Sequence, residues 1–565
     1  MPVESLFEED HLVPLALVGS TLFTFSQLDG CLYRISTQGQ DEPGGYEQIL
    51  LSGFLAPFCV PGHPFVYDLI HDSVTLTVRE FPLVATGLGQ PLERAIPSPS
   101  NQTHRIVSLI PDAEEATLRV VFESLTAAGD TLLLDLGCGD LRPVAPSHGA
   151  PKCIFADGTL VAESEVGWSM VRDGNSVGHG AGLIVAAASE FVVIKRSNKS
   201  GARFSVVRGA GEAEIVAPPG WSLISVAASD TRITAYGIHA EKGQHLLHMD
   251  PCDDCFTLAE AQCGTSQVFA MGAAADPVIR STGLAIGSCW RTQRGLIAGI
   301  AAVRRELTVS QITPAGLPCV YVHAGRPPRG QELVVCLHGG PDSHELDDLR
   351  YGGTYRTVID AGFDLLIINY PGSAGFGSDF QERAWLNWQA AIRETAKAVA
   401  EVMATRRTPE VSIFGVSFGA WVGLQLAEHV EPRQVVAMSP IINLQDHLQL
   451  HGDEPEFRRW AAVRFGLTAG GPDDGEQHTR KCPARVVVIA PDEDEVVLPS
   501  STRRSTDRAT GHGREWSLVP VPGHHYPRTS AAAEHRWASL VNAIVQRRDS
   551  NARAFSAIDA STGSS

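Results

Sequence analysis

Two hydrophobic rhythms divide the chain. From about residue 14 to 300, short apolar or alternating runs recur: Ser20–Phe25, Cys31–Ile35, Phe65–Leu69, Ser73–Val78, Arg105–Leu109, Thr117–Phe122, Thr131–Leu136, Phe191–Lys195, Phe204–Val207, Ser222–Val226, Arg232–Tyr236 and His245–Met249. Gly, Asp, Asn, Ser and Pro clusters separate them at fairly even spacing, and no long amphipathic helix interrupts. Evenly spaced strands with turn signals predict an all-β sandwich, barrel or propeller. A region this long suits a propeller of four-stranded blades, its blade number open.

From about residue 305 the rhythm changes. Continuous apolar runs (Leu333–Leu337, Leu365–Asn369, Val411–Phe414, Val435–Met438, Val486–Ala490, Trp516–Val521) alternate with helical patterns over roughly 379–405, 418–430, 454–465, 499–511 and 530–547. Uninterrupted apolar strands between helices predict a mostly parallel sheet covered on both faces. The expected layout is a propeller over 1–304, an α/β domain over 305–548 and a disordered polar tail over 549–565.

One stretch carries chemistry on its face. The run Val411–Phe414 ends in Gly415-Val416-Ser417-Phe418-Gly419, followed by an Ala/Leu/Gln/Glu-rich helical pattern. A serine between two glycines at a strand-to-helix turn is a nucleophile candidate, because small neighbours allow a sharp turn that lifts its hydroxyl off the sheet. Such a serine needs an oxyanion hole, a base and an acid. The strand Leu333–Leu337 ends in His338-Gly339-Gly340-Pro341, so main-chain N–H groups of Gly339 or Gly340, with that of Phe418, are the candidate hole. Downstream, Asp492 and Asp494 follow one strand, and His524 and His525 follow the next. Acid and base thus come after the serine, in the order of α/β-hydrolases.

Together, His338-Gly-Gly-Pro341, Asn369-Tyr370-Pro-Gly-Ser-Ala-Gly-Phe-Gly377, Gly415-Val-Ser-Phe-Gly419, Asp494-Glu-Val-Val and Gly523-His524 resemble the prolyl oligopeptidase (S9) serine peptidases, in the acylaminoacyl-peptidase or dipeptidyl-peptidase-like branch. The resemblance covers about residues 305–548, and the family's N-terminal propeller suits the first half. It implies Ser417 as nucleophile, Asp494 as acid and His524 as base, with His525 the fallback. Tyr370, Phe457 and Trp460 are the candidate substrate-binding residues. The chain departs from the family where Pro371 replaces an arginine and Ala420 replaces a glycine. The resemblance implies a peptidase for short or modified peptides, whose propeller limits substrate size. The alternatives are an esterase or thioesterase-like acyl hydrolase, a peptidyl transferase or isopeptidase in a biosynthetic pathway, and a non-catalytic propeller scaffold.

Composition narrows the classes. A formal net charge of −19 argues against a nucleic-acid partner. The acidic N-terminus lacks a basic and apolar leader pattern, and no apolar run is long enough to span a bilayer, so a cytoplasmic location without membrane contact is expected. An odd set of 11 scattered cysteines reads as reduced usage. Cys252-Asp-Asp-Cys255 lacks a second ligand pair, so neither metal nor other cofactor is expected. Leu132-Leu-Leu-Asp-Leu-Gly-Cys-Gly-Asp140 imitates a nucleotide-binding turn, but Pro143 and Pro146 follow where a helix should start, and a propeller strand with its turn is the better reading. A homo-oligomer is left open.

Overall fold

The computed structural model describes residues 12–545 apart from stretches within connections, the longest being 37–45, 50–56, 271–276, 301–305, 324–331 and 467–481. The expected domain junction and the 549–565 tail lie outside the described residues. No helix among those described is long and apolar enough to cross a membrane.

The first half is a seven-bladed β-propeller, each blade an antiparallel meander. The blades begin at Leu12, Pro57, His104, Ala150, Leu183, Trp221 and Thr265. The apolar run from Leu183 is two strands, Leu183–Ala187 and Val192–Asn198, because Ser189 and Glu190 form the turn between them. The nucleotide-like motif is likewise a hairpin of blade three, Thr131–Asp135 against Leu141–Val144, with Leu134 opposite Leu141. Among the described residues the ring closes without strand exchange. Leu12, Leu22 and Ile35 of the first blade pack with Val278, Trp290 and Ile297 of the last.

The second half contains eight strands: β1 Thr308–Ile312, β2 Cys319–His323, β3 Leu333–Leu337, β4 Asp364–Ile368, β5 Val411–Val416, β6 Gln434–Met438, β7 Arg485–Pro491 and β8 Trp516–Val521. Their order in the sheet is β1-β2-β4-β3-β5-β6-β7-β8, antiparallel at the β1 edge and parallel from β4 onward. Both faces are covered. Leu333, Val335 and Leu337 point into a core with α3 (Trp388–Arg406) and α4 (Phe418–Val430), while Val334 and Cys336 point into another. That second core includes Tyr355 and Val358 of α1 (Arg350–Asp360) and also Ala227, Tyr236 and Ile279 of the propeller, so the two domains share buried apolar surface.

The remaining helices are α2 (Ser378–Glu382), α5 (Leu444–Leu450), α6 (Pro455–Phe465), α7 (Pro499–Gly511) and α8 (531–545). The single helix expected over 379–405 is two, α2 and α3. Leu386 breaks it by taking a left-handed backbone (φ 59°), and α3 restarts after Asn387, whose carbonyl accepts from Ala390 N–H at 3.0 Å. Helix α1 is invisible in the sequence because Gly352 and Gly353 weaken its propensity; tertiary packing of Tyr355, Val358 and Ile359 supplies what propensity lacks.

Candidate active site

Ser417 sits at the sharp turn between β5 and α4 with φ 53° and ψ −116°, a conformation strained for a residue with a Cβ. The flanking glycines are required by space. A Cβ on Gly415 would lie 2.4 Å from the Gly419 carbonyl oxygen, and one on Gly419 would lie 2.2 Å from that of Leu337. Ser417 is pinned on both sides, its N–H donating to Met438 O at 2.9 Å and its carbonyl accepting from Ile441 N at 3.1 Å. Phe418 is the first residue of α4, where helix N–H groups have no partner within the helix.

The Gly-rich turn after β3 is braced from below. The His338 ring is buried and stacks on Tyr370 at 4.4 Å; its Nε2 lies 2.7 Å from Ser373 Oγ. Tyr370 OH donates to His338 O at 2.9 Å. Gly340 takes the left-handed region at φ 59°. Asp342 ties the same turn to α2 and α6, accepting from Gln381 Nε2 (2.8 Å), Trp460 Nε1 (2.9 Å) and Arg464 Nε (2.8 Å).

Loops after β7 and β8 meet. Asp494 is buried, and its Oδ1 accepts the N–H groups of Val496 (2.9 Å) and Val497 (2.7 Å). The imidazole facing it is that of His525, also buried, with Nδ1 3.0 and 2.9 Å from the two carboxylate oxygens. The expected base, His524, points elsewhere: its ring lies 3.4 Å from both Glu493 and Glu495 at the partly exposed rim. The reason is local. Gly523, at φ 95°, turns the chain so that the second histidine faces inward. Asp492 accepts Gly523 N–H at 2.8 Å and so holds this turn, leaving Asp494 to face the ring. Because a carboxylate only accepts, Nδ1 of His525 carries the proton and Nε2 is the basic nitrogen.

The His525 loop reaches back over the strand end that holds Ser417. Ser439 Oγ, one residue after Met438, donates to His525 O at 3.5 Å, and His525 lines a small cavity with Val416 and Met438. A hydroxyl on a strained turn, a carboxylate-bound imidazole and helix-start N–H groups thus gather at the C-terminal edge of one sheet. These are the parts that acyl transfer needs.

The candidate substrate-binding residues pack against the elements around the Gly-rich turn after β3. Tyr370 is buried against His338, and burial pushes its phenol well above the usual range. Trp460 is committed to Asp342 and stacks on Phe457 at 5.3 Å; Phe457 in turn packs on His447 and His451 of α5 and its C-terminal end. A cavity of about 630 Å³ lies between the propeller and the α/β domain, lined among others by Lys195, Arg203, Trp221, Asp342, His344 and Phe376. Among the described residues no group of three His, Cys, Asp or Glu side chains could hold a metal ion; Cys252 and Cys255 sit exposed in a propeller turn.

Residues 334–560 match the model of the alpha/beta hydrolase family. The C-terminal domain therefore has the alpha/beta hydrolase fold. Over 97 residues the chain is 31% identical to dipeptidyl aminopeptidase BIII of Pseudoxanthomonas mexicana, covering 16% of this chain and 14% of that protein. Over 156 residues it is 26% identical to acylamino-acid-releasing enzyme 2 of Oryza sativa subsp. japonica, covering 27% and 19%. The aligned segments thus span less than a fifth of these relatives. Whole-chain likeness is structural. The Pyrococcus horikoshii acylaminoacyl peptidase superposes with a TM-score of 0.69 at 11% identity, covering 96% of each chain. A puromycin-hydrolysing peptidase of Mycobacterium tuberculosis gives 0.64 at 14%, covering 97% of this chain and 96% of that one. The hydrolase and its propeller thus have the two-domain fold of the prolyl oligopeptidase-type peptidases.

Proposed function

We propose that this protein is a serine peptidase that hydrolyses short or modified peptides through an acyl-enzyme on Ser417. The observation that carries the reading is the buried Asp494–His525 pair at the same sheet edge as a serine held in a strained turn. In this mechanism Nε2 of His525 takes the Ser417 proton as Oγ attacks the substrate carbonyl. Asp494 holds the imidazole in the required tautomer and stabilises the imidazolium. The N–H of Phe418 and that of Gly339 or Gly340 bind the oxyanion, each donor contributing on the order of 2.7–4 kcal/mol to the transition state. His525 then protonates the leaving amine, and water, activated by the same ring, releases the acyl group. His525 replaces His524 in the base role because only its ring reaches the buried acid.

A preference for peptides with a modified end is supported by structural neighbours described as acylaminoacyl and puromycin-hydrolysing peptidases. The interdomain cavity gives a peptide somewhere to lie beside the Gly339-Gly340 turn, and the propeller wall would exclude folded chains.

Labelling with a fluorophosphonate, wild type against Ser417→Ala, tests the reading, with the modified peptide identified by mass spectrometry. Modification at Ser417 that disappears in the variant is expected, followed by cleavage of N-acylated short peptides in a library screen. A folded wild type that takes no label would overturn it.

A further inference from the structure

The backbone of the histidine loop is held by a residue outside the motifs. Arg536 lies on α8, is only 3% exposed, and extends its guanidinium to the backbone of the histidine loop. Its Nη1 donates to His525 O at 2.7 Å and its Nη2 to His524 O, so one planar fork holds two successive carbonyls. The helix that carries it is itself anchored, for the adjacent Trp537 Nε1 donates to Thr354 Oγ1 of α1 at 3.0 Å. Burial lowers the guanidinium pKa to about 10, with Asp494 and Glu495 pulling the other way, so it stays charged at neutral pH.

We propose that Arg536 is the positioning residue of the base. Its bidentate hold on the carbonyls of His524 and His525 fixes which histidine faces Asp494. This inference rests on the peptidase reading. A surface arginine could not do this; a buried one, doubly bonded to the loop, does. The geometry also explains why two adjacent histidines do not exchange places. Flipping the loop would break both guanidinium bonds and strand a buried charge.

The charged and titratable groups that surround His525 are Asp494, the Glu495 carboxylate that accepts its N–H, His524 and Glu493 at the rim, Arg528 on Glu495, His447 of α5, and Tyr526 next in sequence. Beside these groups, Arg536 grips the backbone of the loop from a helix.

The test is the rate of fluorophosphonate labelling at Ser417 for wild type, Arg536→Ala and Arg536→Lys, with thermal unfolding to establish that each variant is folded. Arg536→Ala is expected to label about 100-fold more slowly, the size of an ångström-scale misplacement of a catalytic group, and added methylguanidinium restores part of the rate. Arg536→Lys keeps the charge but not the fork, so its rate falls about tenfold. A folded Arg536→Ala that labels at the wild-type rate overturns the inference. So does a slow one with no rescue. If Arg536→Ala does not fold, a wild-type rate in Arg536→Lys overturns it alone. An unlabelled wild type overturns the peptidase reading and this inference together, whereas a labelled wild type with indifferent variants overturns only the inference.

Discussion

At the scale of single residues, the two adjacent histidines make the sharpest prediction. His525 is buried on a buried carboxylate, while His524 lies between two partly exposed ones. Replacing His525 with Ala should slow labelling of Ser417 by a factor on the order of 10⁴ or more, as loss of a triad base does. Replacing His524 with Ala should change it by less than about fivefold, the size of an exposed ion pair. The reverse ranking would return the base to His524. The serine's strand-to-helix turn and the glycine turns were legible in the sequence because each sits at the end of an apolar strand. Which histidine turns inward was not, since that depends on the left-handed Gly523 and on Arg536, which lies outside every motif. Steric need at the elbow is also a residue-scale matter. Gly419→Ala would drive a methyl into the Leu337 carbonyl, costing about 1–3 kcal/mol or more, visible as a lower melting temperature with loss of labelling.

At the scale of elements, α5 explains a pH dependence of stability. This helix buries His447 beside the Asp494–His525 pair, and desolvation, the largest cause, lowers its pKa to about 4, with His451 and His525 adding in the same direction. The unfolded chain protonates that side chain near the ordinary histidine value of about 6.5, whereas the folded chain resists until about pH 4. The stability contributed by neutral His447 is therefore whole above pH 6.5 and is lost as pH falls towards 4. At pH 5 the loss is on the order of 2 kcal/mol. His447→Gln should flatten this part of the curve, as urea unfolding at pH 7 and pH 5 would measure; an unchanged difference would count against the assignment. Element boundaries were less legible than element types. The hydrophobic pattern carried α4 and α7 but missed α1 and α5, whose stability comes from packing and, for α5, from Asn443 accepting the N–H groups of Gln445 and Asp446.

At the scale of the whole molecule, the repeat was visible as strand spacing, yet the number of blades was not, because no sequence period marks them. What closes the ring is side-chain packing between the first and last blades rather than a shared strand. Trp290 is fully buried in that seam, with the Arg280 guanidinium 5.7 Å from its ring centroid. Trp290→Ala should cost about 3–5 kcal/mol in the propeller while leaving the hydrolase sheet intact. The hydrolase stays attached through other contacts. Leu284 N–H donates to Asp347 O at 3.0 Å, and Arg356 Nη1 donates to Leu284 O at 2.7 Å. A seam that opens more often without loss of the active site separates two roles of the propeller. If the closed ring excludes large substrates, Trp290→Ala should raise the cleavage rate of a long peptide relative to a short one of the same cleavable sequence, with labelling of Ser417 by the small phosphonate unchanged. Equal effects on both peptides would mean that selection by size lies at the interdomain gap, where Asp347 and Arg356 hold the two domains together, and not at the ring.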